Sequence, residues 1–451
     1  MSTAIVWFRR DLRLYDHPAL ATAVREYECV IPLFVFDDRL LGGRAGSDNR
    51  VAFMHSCLDA LDDALRGLGS ALVARAGRPE EVLTAFARET GAQAVFWTSD
   101  VSPFARARDA RVTHALRAAG IAPRPHGGAY VVDVAKPRTA NGSPYHVFTP
   151  FFRRWQALPR RALEAAPATL APLPPQIDRG TLPSALVTLG EPNARRAARA
   201  WFDGPIQHYG SDGSSRLSPY LRWGCLSARA LELEAEQSGG AGPEAWIRQL
   251  AWRDFYAHVL LHWPQNLDHE FQERHRDLEW SDDREHLDAW RRGQTGYPIV
   301  DAAMRELAAT GWMHNRARLI VGSFLTKDLH LDWRHGERWF SQLLLDGEPA
   351  QNNGNWQWIA SVGVDPAPAF RRIYNPTLQG RRFDPDGAYV RRYLPELTNV
   401  PDERLFEPWM MTTAEQRASG CRIGADYPAP IVDHRRERQR ALERYRVSPA
   451  A

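Results

Sequence analysis

The first 130 residues alternate between two kinds of segment, and this alternation restricts the fold more than any other feature of the chain. "AIVWF" (4–8), "VIPLFVF" (30–36) and "QAVFWT" (93–98) are short apolar runs rich in β-branched and aromatic residues. Between them lie the helix-like segments "HPALATAVREY", "NRVAFMHSCLDALDDALRGLG" and "PEEVLTAFARETG". Strand and helix in strict succession predict a parallel sheet with helices packed on its faces. "LVARAG" (72–77) and "APRPHG" (122–127) fit two further strands. The expectation is a doubly wound α/β domain over residues 1–130.

At 451 residues the chain is too long for one ordinary core. Composition shifts between about 156 and 194, where "ALPRRALEAAPATLAPLPPQIDRGTLPSALVTLGEPN" is rich in Pro and Ala with little periodicity. A linker over 131–194 is therefore expected, running over the surface. From 195 to 451 the pattern is helical, predicting a large all-α domain. "GYPIVDAAMRELAATG" carries Pro298 near a helix start and Gly311 just past its stop. "HRRERQRALERYRV" at 434–447 reads as a charged amphipathic helix with a solvated face. No internal repeat is found.

No apolar run is long enough to span a bilayer, and Arg9 and Arg10 interrupt the first apolar stretch, so neither a membrane helix nor a signal peptide is expected. Cys29, Cys57, Cys225 and Cys421 form no C-x-x-C pair, which predicts buried thiols in a reducing cytoplasm and no metal site. Net charge is +3, which excludes no partner class by itself; a basic patch for phosphates stays compatible with it.

Four stretches hold polar and aromatic residues in unusual company. In "YGSDGSSRLSPYLRWGCLS" (209–227), Ser214, Ser215 and Ser218 precede a helical run and offer hydroxyls and backbone N–H groups to an anion; an ordinary serine cap is the competing reading. In "WIRQLAWRDFYAHVL" (246–260), Trp246, Gln249 and Arg253 share one helical face with Trp252 close by, which suits a flat aromatic ligand. "GWMHNRARL" (311–319) groups Trp312, Asn315, Arg316 and Arg318. "LLLDGEPAQNNGNWQWIASVG" (343–363) sets Asp346 and Glu348 beside Asn352, Trp356 and Trp358. Carboxylate, amide and indole together fit the wall of a cofactor pocket.

Taken together, "SSRLSPYL", "LAWRDFY", "TGYPIVDAAMRELAATGWMHNRARLI", "DGEPAQNNGNWQW" and "NPTLQGRRFD" resemble the photolyase/cryptochrome family over nearly the whole chain. The N-terminal "VWFRRDLRLYDHPAL" is similar to that family's first strand and turn. The branch it most resembles is the bacterial cyclobutane pyrimidine dimer photolyases. The resemblance implies an α/β antenna domain and a helical domain holding a folded FAD. It implies cofactor contacts from Tyr209, Ser214, Ser215, Arg216, Leu217, Ser218, Trp246, Arg318, Asp346, Gly347, Glu348 and Asn352, with Asn352 at flavin N5. Lesion and DNA contacts would come from Gln249, Trp252, Arg253, Asn315, Arg316, Trp358 and Gln379. The damaged dinucleotide would be flipped out of the duplex, a behaviour for which photolyases are a standard example. Excited reduced flavin would donate an electron to the dimer, and Trp356, Trp333 and Trp280 would form an electron-hopping chain. The implied partner is UV-damaged DNA, met by a cytoplasmic monomer without membrane attachment.

The match departs from the pattern in places. Gln249 stands where dimer photolyases carry Glu, as in the (6-4) branch, yet the histidine pair of that branch is missing from "WMHNRARL". Leu319 stands where many have Met. "SDVSPFARARD" lacks the Asn-Glu pair of folate-binding members and looks more like deazaflavin binders, with Asp100 a candidate contact. An 8-hydroxydeazaflavin antenna is thus favoured over methenyltetrahydrofolate. The alternative functions are a cryptochrome-like blue-light receptor and a (6-4) photolyase.

Overall fold

The computed structural model describes residues 2–41, 46–183, 185, 189–203, 214–239 and 241–447. They form two compact units. One contains residues up to 203 with 215–264 and 345–351; the other contains Ser214, 265–344 and 352–447.

The first unit is built on five parallel strands, β1 (Thr3–Phe8), β2 (Cys29–Phe36), β3 (Val73–Ala76), β4 (Ala94–Thr98) and β5 (Ala122–His126), in the order β3-β2-β1-β4-β5. All five occur where the apolar runs predict them. β1 is central and buried along its whole length, which is why it reads as an unbroken apolar run instead of an alternating one. β5 carries Pro123 and Pro125 and lies at an edge, where a missing N–H costs little. Strand order reverses between β1 and β4, the place where doubly wound sheets leave a crevice at their C-terminal ends. Arg9 and Arg10 follow β1 directly, and the Arg9 guanidinium reaches the Thr98 carbonyl at the end of β4.

Of the expected linker over 131–194, the Phe148–Ala157 stretch and the residues from Glu191 are helical, while 158–190 has no helix or strand among its described residues and is pinned to its unit. Ala74 donates to the Arg179 carbonyl, Leu170 to that of Leu68, and Asp16 to that of Glu164. Arg160 forms an ion pair with the buried Glu232 at 2.8 Å.

The stretch before the Phe148–Ala157 helix is held by one buried carboxylate. Asp254 accepts from Trp155 Nε1 at 2.9 Å and from the Val132 amide at 3.2 Å. Burial raises its pKa to about 7, against the hydrogen bonds and the Arg253 charge that oppose the shift. The folded state therefore keeps this proton to higher pH than the unfolded chain, whose Asp titrates near 3.8. Stability from this group is present at low pH and falls as pH rises through that window, with a slope of at most about 1.4 kcal/mol per pH unit. His258, lowered to about 4 mainly by burial, contributes the opposite slope over a partly shared range. Asp254→Asn should remove the first slope and leave the second. Urea midpoints of the two proteins at pH 4.5, 5.5, 6.5 and 7.5 test this, and parallel profiles would refute it.

The second unit is helical around a core that includes Trp290, Met304, Val321, Phe324, Leu325, Trp333 and Trp356. The Pro298–Thr310 helix starts and stops as predicted, with Gly311 closing it at φ 67°. The His434–Val447 helix is more than a solvated face. His434 bonds Asp328, Glu437 bonds His330 at 3.1 Å, and Tyr445 bonds Lys327 at 2.6 Å, all anchored on or just beyond a π-turn at Phe324–Asp328. All four cysteines are buried and free. No helix among the described residues is long and apolar enough to cross a membrane.

Candidate functional site

The expected site residues fall into a group within each unit. In the first unit, "SSRLSPYL" ends in a short helix, Ser218–Trp223, with Pro219 in its first turn. Leu217 stands at its N-cap, where no side-chain cap hydrogen bond is made. Arg216 just before it adopts φ 51°, a strained conformation for a residue with a Cβ. Gly224 ends the helix at φ 66°, and a Cβ there would overlap the Arg10 carbonyl, so only glycine lets this turn lie against the end of β1. Ser215 accepts weakly from the Leu217 amide at 3.4 Å, Leu217 is buried, and Ser218 is exposed. Tyr209 lies outside the described residues.

Trp246, Gln249, Trp252 and Arg253 all lie on the Ala241–His262 helix. Trp246 meets Phe202 edge-on at 5.5 Å. Gln249 is exposed. Trp252 stacks on Phe148 with centroids 3.6 Å apart and planes within 4°, which supports one indole face, and Phe255 and Tyr256 lie at 5.6 Å. Arg253 is committed to protein partners: it donates to the Ala129 carbonyl at 2.8 Å and lies over the Tyr130 ring.

Glu348, 4% exposed, is the hub of a buried ionic cluster. It takes Arg10 at 2.7 Å, Arg253 at 3.5 Å and the Tyr130 hydroxyl at 3.3 Å. Burial pushes its pKa up, but Arg253, Arg10 and Arg222 outweigh that and hold it below the ordinary carboxylate range. Arg10 also pairs with Asp100 at 2.9 Å, while Arg222 donates to the Gly347 carbonyl at 2.9 Å. The Gly347 carbonyl and the Glu348 carboxylate are thereby tied to the same group of arginines. Arg50, lowered to about 10 by burial and by Arg10, feels Asp346 as its opposing anion.

In the second unit, Ser214 is half-buried, and Asn315 is exposed at the head of the Asn315–Ser323 helix. His314 caps that helix through Nδ1, which accepts from the Arg316 amide at 3.1 Å. Arg316 lies over the Phe383 ring at 4.6 Å, and Arg318 donates to the Met313 carbonyl at 2.8 Å. Trp358 donates from Nε1 to Asp365 at 3.0 Å and carries the Arg372 guanidinium on one face at 4.2 Å. The Gln379 side-chain oxygen is buried and accepts no hydrogen bond, an acceptor awaiting a donor.

Asn352 has the most defined geometry. Its amide nitrogen donates to both the backbone oxygen and the carboxylate of Glu337, each at 2.8 Å. Two acceptors on the nitrogen settle which way the amide points, so its oxygen is the atom left for a ligand. Burial raises the Glu337 pKa despite the Asn352 bond. The three chain tryptophans belong to one apolar cluster: Trp333 and Trp356 inside it, Trp280 at its border. Trp356 packs edge-on against Phe340 at 5.0 Å and Trp290 at 6.2 Å.

Sequence reasoning missed Glu337 and Arg10. Arg10 had a usable signal, an arginine directly after a strand at the switch point. Glu337 is an ordinary charged residue on a helix, without a local signature.

Residues 4–173 match the family model described as DNA photolyase, and residues 246–447 match that of the FAD binding domain of DNA photolyase. The chain is 42% identical to a deoxyribodipyrimidine photo-lyase of Streptomyces griseus, over 98% of this chain and 100% of that one. Its fold is similar to a bacterial class III photolyase from Agrobacterium tumefaciens, with TM-score 0.91, 34% identity and coverage of 99% and 98% of the two chains. It is equally similar in fold to a Synechocystis cryptochrome, with TM-score 0.91, 29% identity and coverage of 98% and 99%.

Proposed function

The chain belongs to the DNA photolyase family, and on that premise we propose that it is a light-driven lyase splitting cyclobutane pyrimidine dimers in UV-damaged DNA, in the bacterial cytoplasm, with FAD as its cofactor. The observation that carries this reading is Asn352. Reduced flavin bears a hydrogen on N5 and asks for an acceptor; oxidised flavin asks there for a donor. Glu337 takes both amide hydrogens of Asn352 and leaves the oxygen, the acceptor suited to the reduced form. The residues present therefore fit FAD, which supplies the electron when excited.

This chain's own residues bind and position. Ser214, Ser215, Arg216, Leu217 and Ser218 would hold the phosphates, helped by the uncapped helix start, with Trp246, Arg318, Asp346, Gly347 and Glu348 as further cofactor contacts. The part assigned to Glu348 is fixing the 346–348 backbone, since its oxygens already serve Arg10, Arg253 and Tyr130. Trp252, Trp358, Gln249, Asn315 and Gln379 would receive the extruded dimer: the backed indole faces support stacking, and the orphan Gln379 oxygen suits a base N–H. Arg316 would hold phosphate, and Arg253 would do so only in competition with its protein partners. Trp356, Trp333 and Trp280 would return electrons to the cofactor.

An antenna chromophore of the 8-hydroxydeazaflavin type is the second cofactor in this reading. Its support is the group of arginines past the ends of β1 and β4, where Arg10 pairs with Asp100 and the buried Arg50 feels the Arg10 charge.

Blue-light repair of an oligonucleotide with one thymine dimer, beside a (6-4) substrate and a dark control, tests the function. Light-dependent restoration of the dimer substrate alone is expected. Restoration of only the (6-4) substrate, or of neither, would overturn it, the latter in favour of the receptor reading that the cryptochrome likeness supports. Gln249 is exposed and carries no charge. Gln249→Glu should raise repair efficiency severalfold, because a carboxyl that the bound dimer buries keeps its proton and can donate it in a hydrogen bond to the radical anion, measured as quantum yield; an unchanged or lower yield would remove Gln249 from the lesion pocket.

A further inference from the structure

The second unit holds a cavity that the proposed repair chemistry does not use. It measures about 520 Å³ and is lined by residues of the 366–370 segment and of the His434–Val447 helix, among others. Arg274, Arg438 and Arg446 line it, and among the described lining residues there is no carboxylate. Arg274 donates to the neutral Gln272 side chain at 2.7 and 3.1 Å, and Arg438 and Arg446 are exposed. The lining also contains two buried polar residues, Ser361 (4% exposed) and His275 (5% exposed). Neither the Ser361 hydroxyl nor the His275 Nδ1 meets a hydrogen-bond partner in the protein. Such orphans are rare in folded chains. Ser361 is strained as well: it sits just past the Pro349–Ala360 helix at φ 64°, a conformation that favours glycine. Burial, and after it the Arg274 and Lys327 charges, lower the His275 pKa to about 4 against the opposing charge of Glu270. The ring is therefore neutral at pH 7 and surrounded mainly by cations.

These groups suit an anion. Guanidinium forks match the oxygens of a phosphate, and a hydroxyl and a neutral imidazole can add one donor each. We propose that this cavity binds the terminal phosphate of a free nucleotide, at residues none of which is assigned to FAD or to the lesion. A terminal phosphate presents three free oxygens and enters a concave site end-on. A backbone diester presents two and carries a sugar on either side, so it is poorly shaped to reach the buried Ser361 hydroxyl. The lining includes Phe370, 55% exposed, a ring on which a base can stack. The volume lies in the ordinary range of small-molecule sites. This inference is independent of the light-driven reading above.

Calorimetric titration of the FAD-loaded protein with AMP, in phosphate-free buffer, tests it. AMP should bind at one site per chain, and adenosine, which lacks the phosphate, at least about tenfold more weakly. Ser361→Gly removes the hydroxyl and relieves the strain, so it should fold as well as native while weakening AMP about tenfold. Arg438→Gln and Arg446→Gln, both at exposed positions, should each weaken AMP at least about threefold. Arg440→Gln, on the same helix but outside the cavity lining, should change it by less than about twofold. A saturating thymine-dimer oligonucleotide should leave AMP affinity within about twofold of native, and light-driven repair by Ser361→Gly should match native. Absence of AMP binding, or binding that Ser361→Gly leaves unchanged, overturns the proposal. Displacement of AMP by the oligonucleotide, with weaker oligonucleotide binding in Ser361→Gly, would assign the cavity to the DNA backbone and overturn it equally. Each of these failures leaves the repair assay of the native protein unaffected.

Discussion

Glu348→Ala is expected to lower the unfolding free energy by about 3–5 kcal/mol. The carboxylate is almost fully buried and is shared by Arg10, Arg253 and the Tyr130 hydroxyl. Truncation leaves two partly buried guanidinium groups facing each other across a cavity, and removing one partner of a buried pair is costly because the other stays desolvated. Arg10 keeps Asp100, and Arg253 keeps the Ala129 carbonyl, which places the loss toward the lower end. Glu348→Gln retains an acceptor and should cost less than the alanine variant. Urea denaturation followed by tryptophan emission measures both. A loss below about 1 kcal/mol for Glu348→Ala would mean the cluster is solvated and weak. The same variant should weaken FAD retention, because Arg222 and Glu348 together fix the Asp346–Glu348 backbone.

Gly336→Val is the second large effect. Gly336 lies inside the Trp333–Leu343 helix, where glycine is ordinarily a liability and alanine would gain about 1 kcal/mol. Here a Cβ would overlap the six-membered ring of Trp356. The indole cannot retreat, since Phe340 and Trp290 pack on it within the same core. Valine at this place should cost at least about 3 kcal/mol through overpacking and displace Trp356. Light-driven reduction of bound flavin should fall with it, because Trp356 is the first donor in the proposed chain. Gly336→Ala should show the same two losses in smaller measure. Full stability in the valine variant would show that the helix can shift away from Trp356 without penalty.

Different parts of the molecule were legible in the sequence to different degrees. The five strands were readable because a central parallel strand is buried on both faces, and burial leaves a run such as "AIVWF" with no polar residue in it. The Pro298–Thr310 helix was readable because proline and glycine act through the local backbone alone. The C-terminal helix was legible only as an amphipathic pattern. Its bonds to Asp328, His330 and Lys327 join residues about a hundred positions apart, which no local pattern encodes. Likewise the serines of "SSRLSPYL" carried both a cap reading and an anion-site reading, and local sequence holds no signal for the Leu217 N-cap that the structure shows there.

Residue chemistry and motif order therefore determined by themselves which elements form, that the chain is a member of this family, and which side chains are candidates for cofactor and lesion. Such properties depend on local backbone preferences and on the kinds of groups a flavin and a pyrimidine dimer require. The folded structure alone decided what surrounds those side chains: Glu337 orienting Asn352, Phe148 backing Trp252, Arg444 charging the face of Trp280. Hydrogen bonds and close charge pairs depend on distance in space and take no account of distance along the chain, so they appear only once distant segments have packed together.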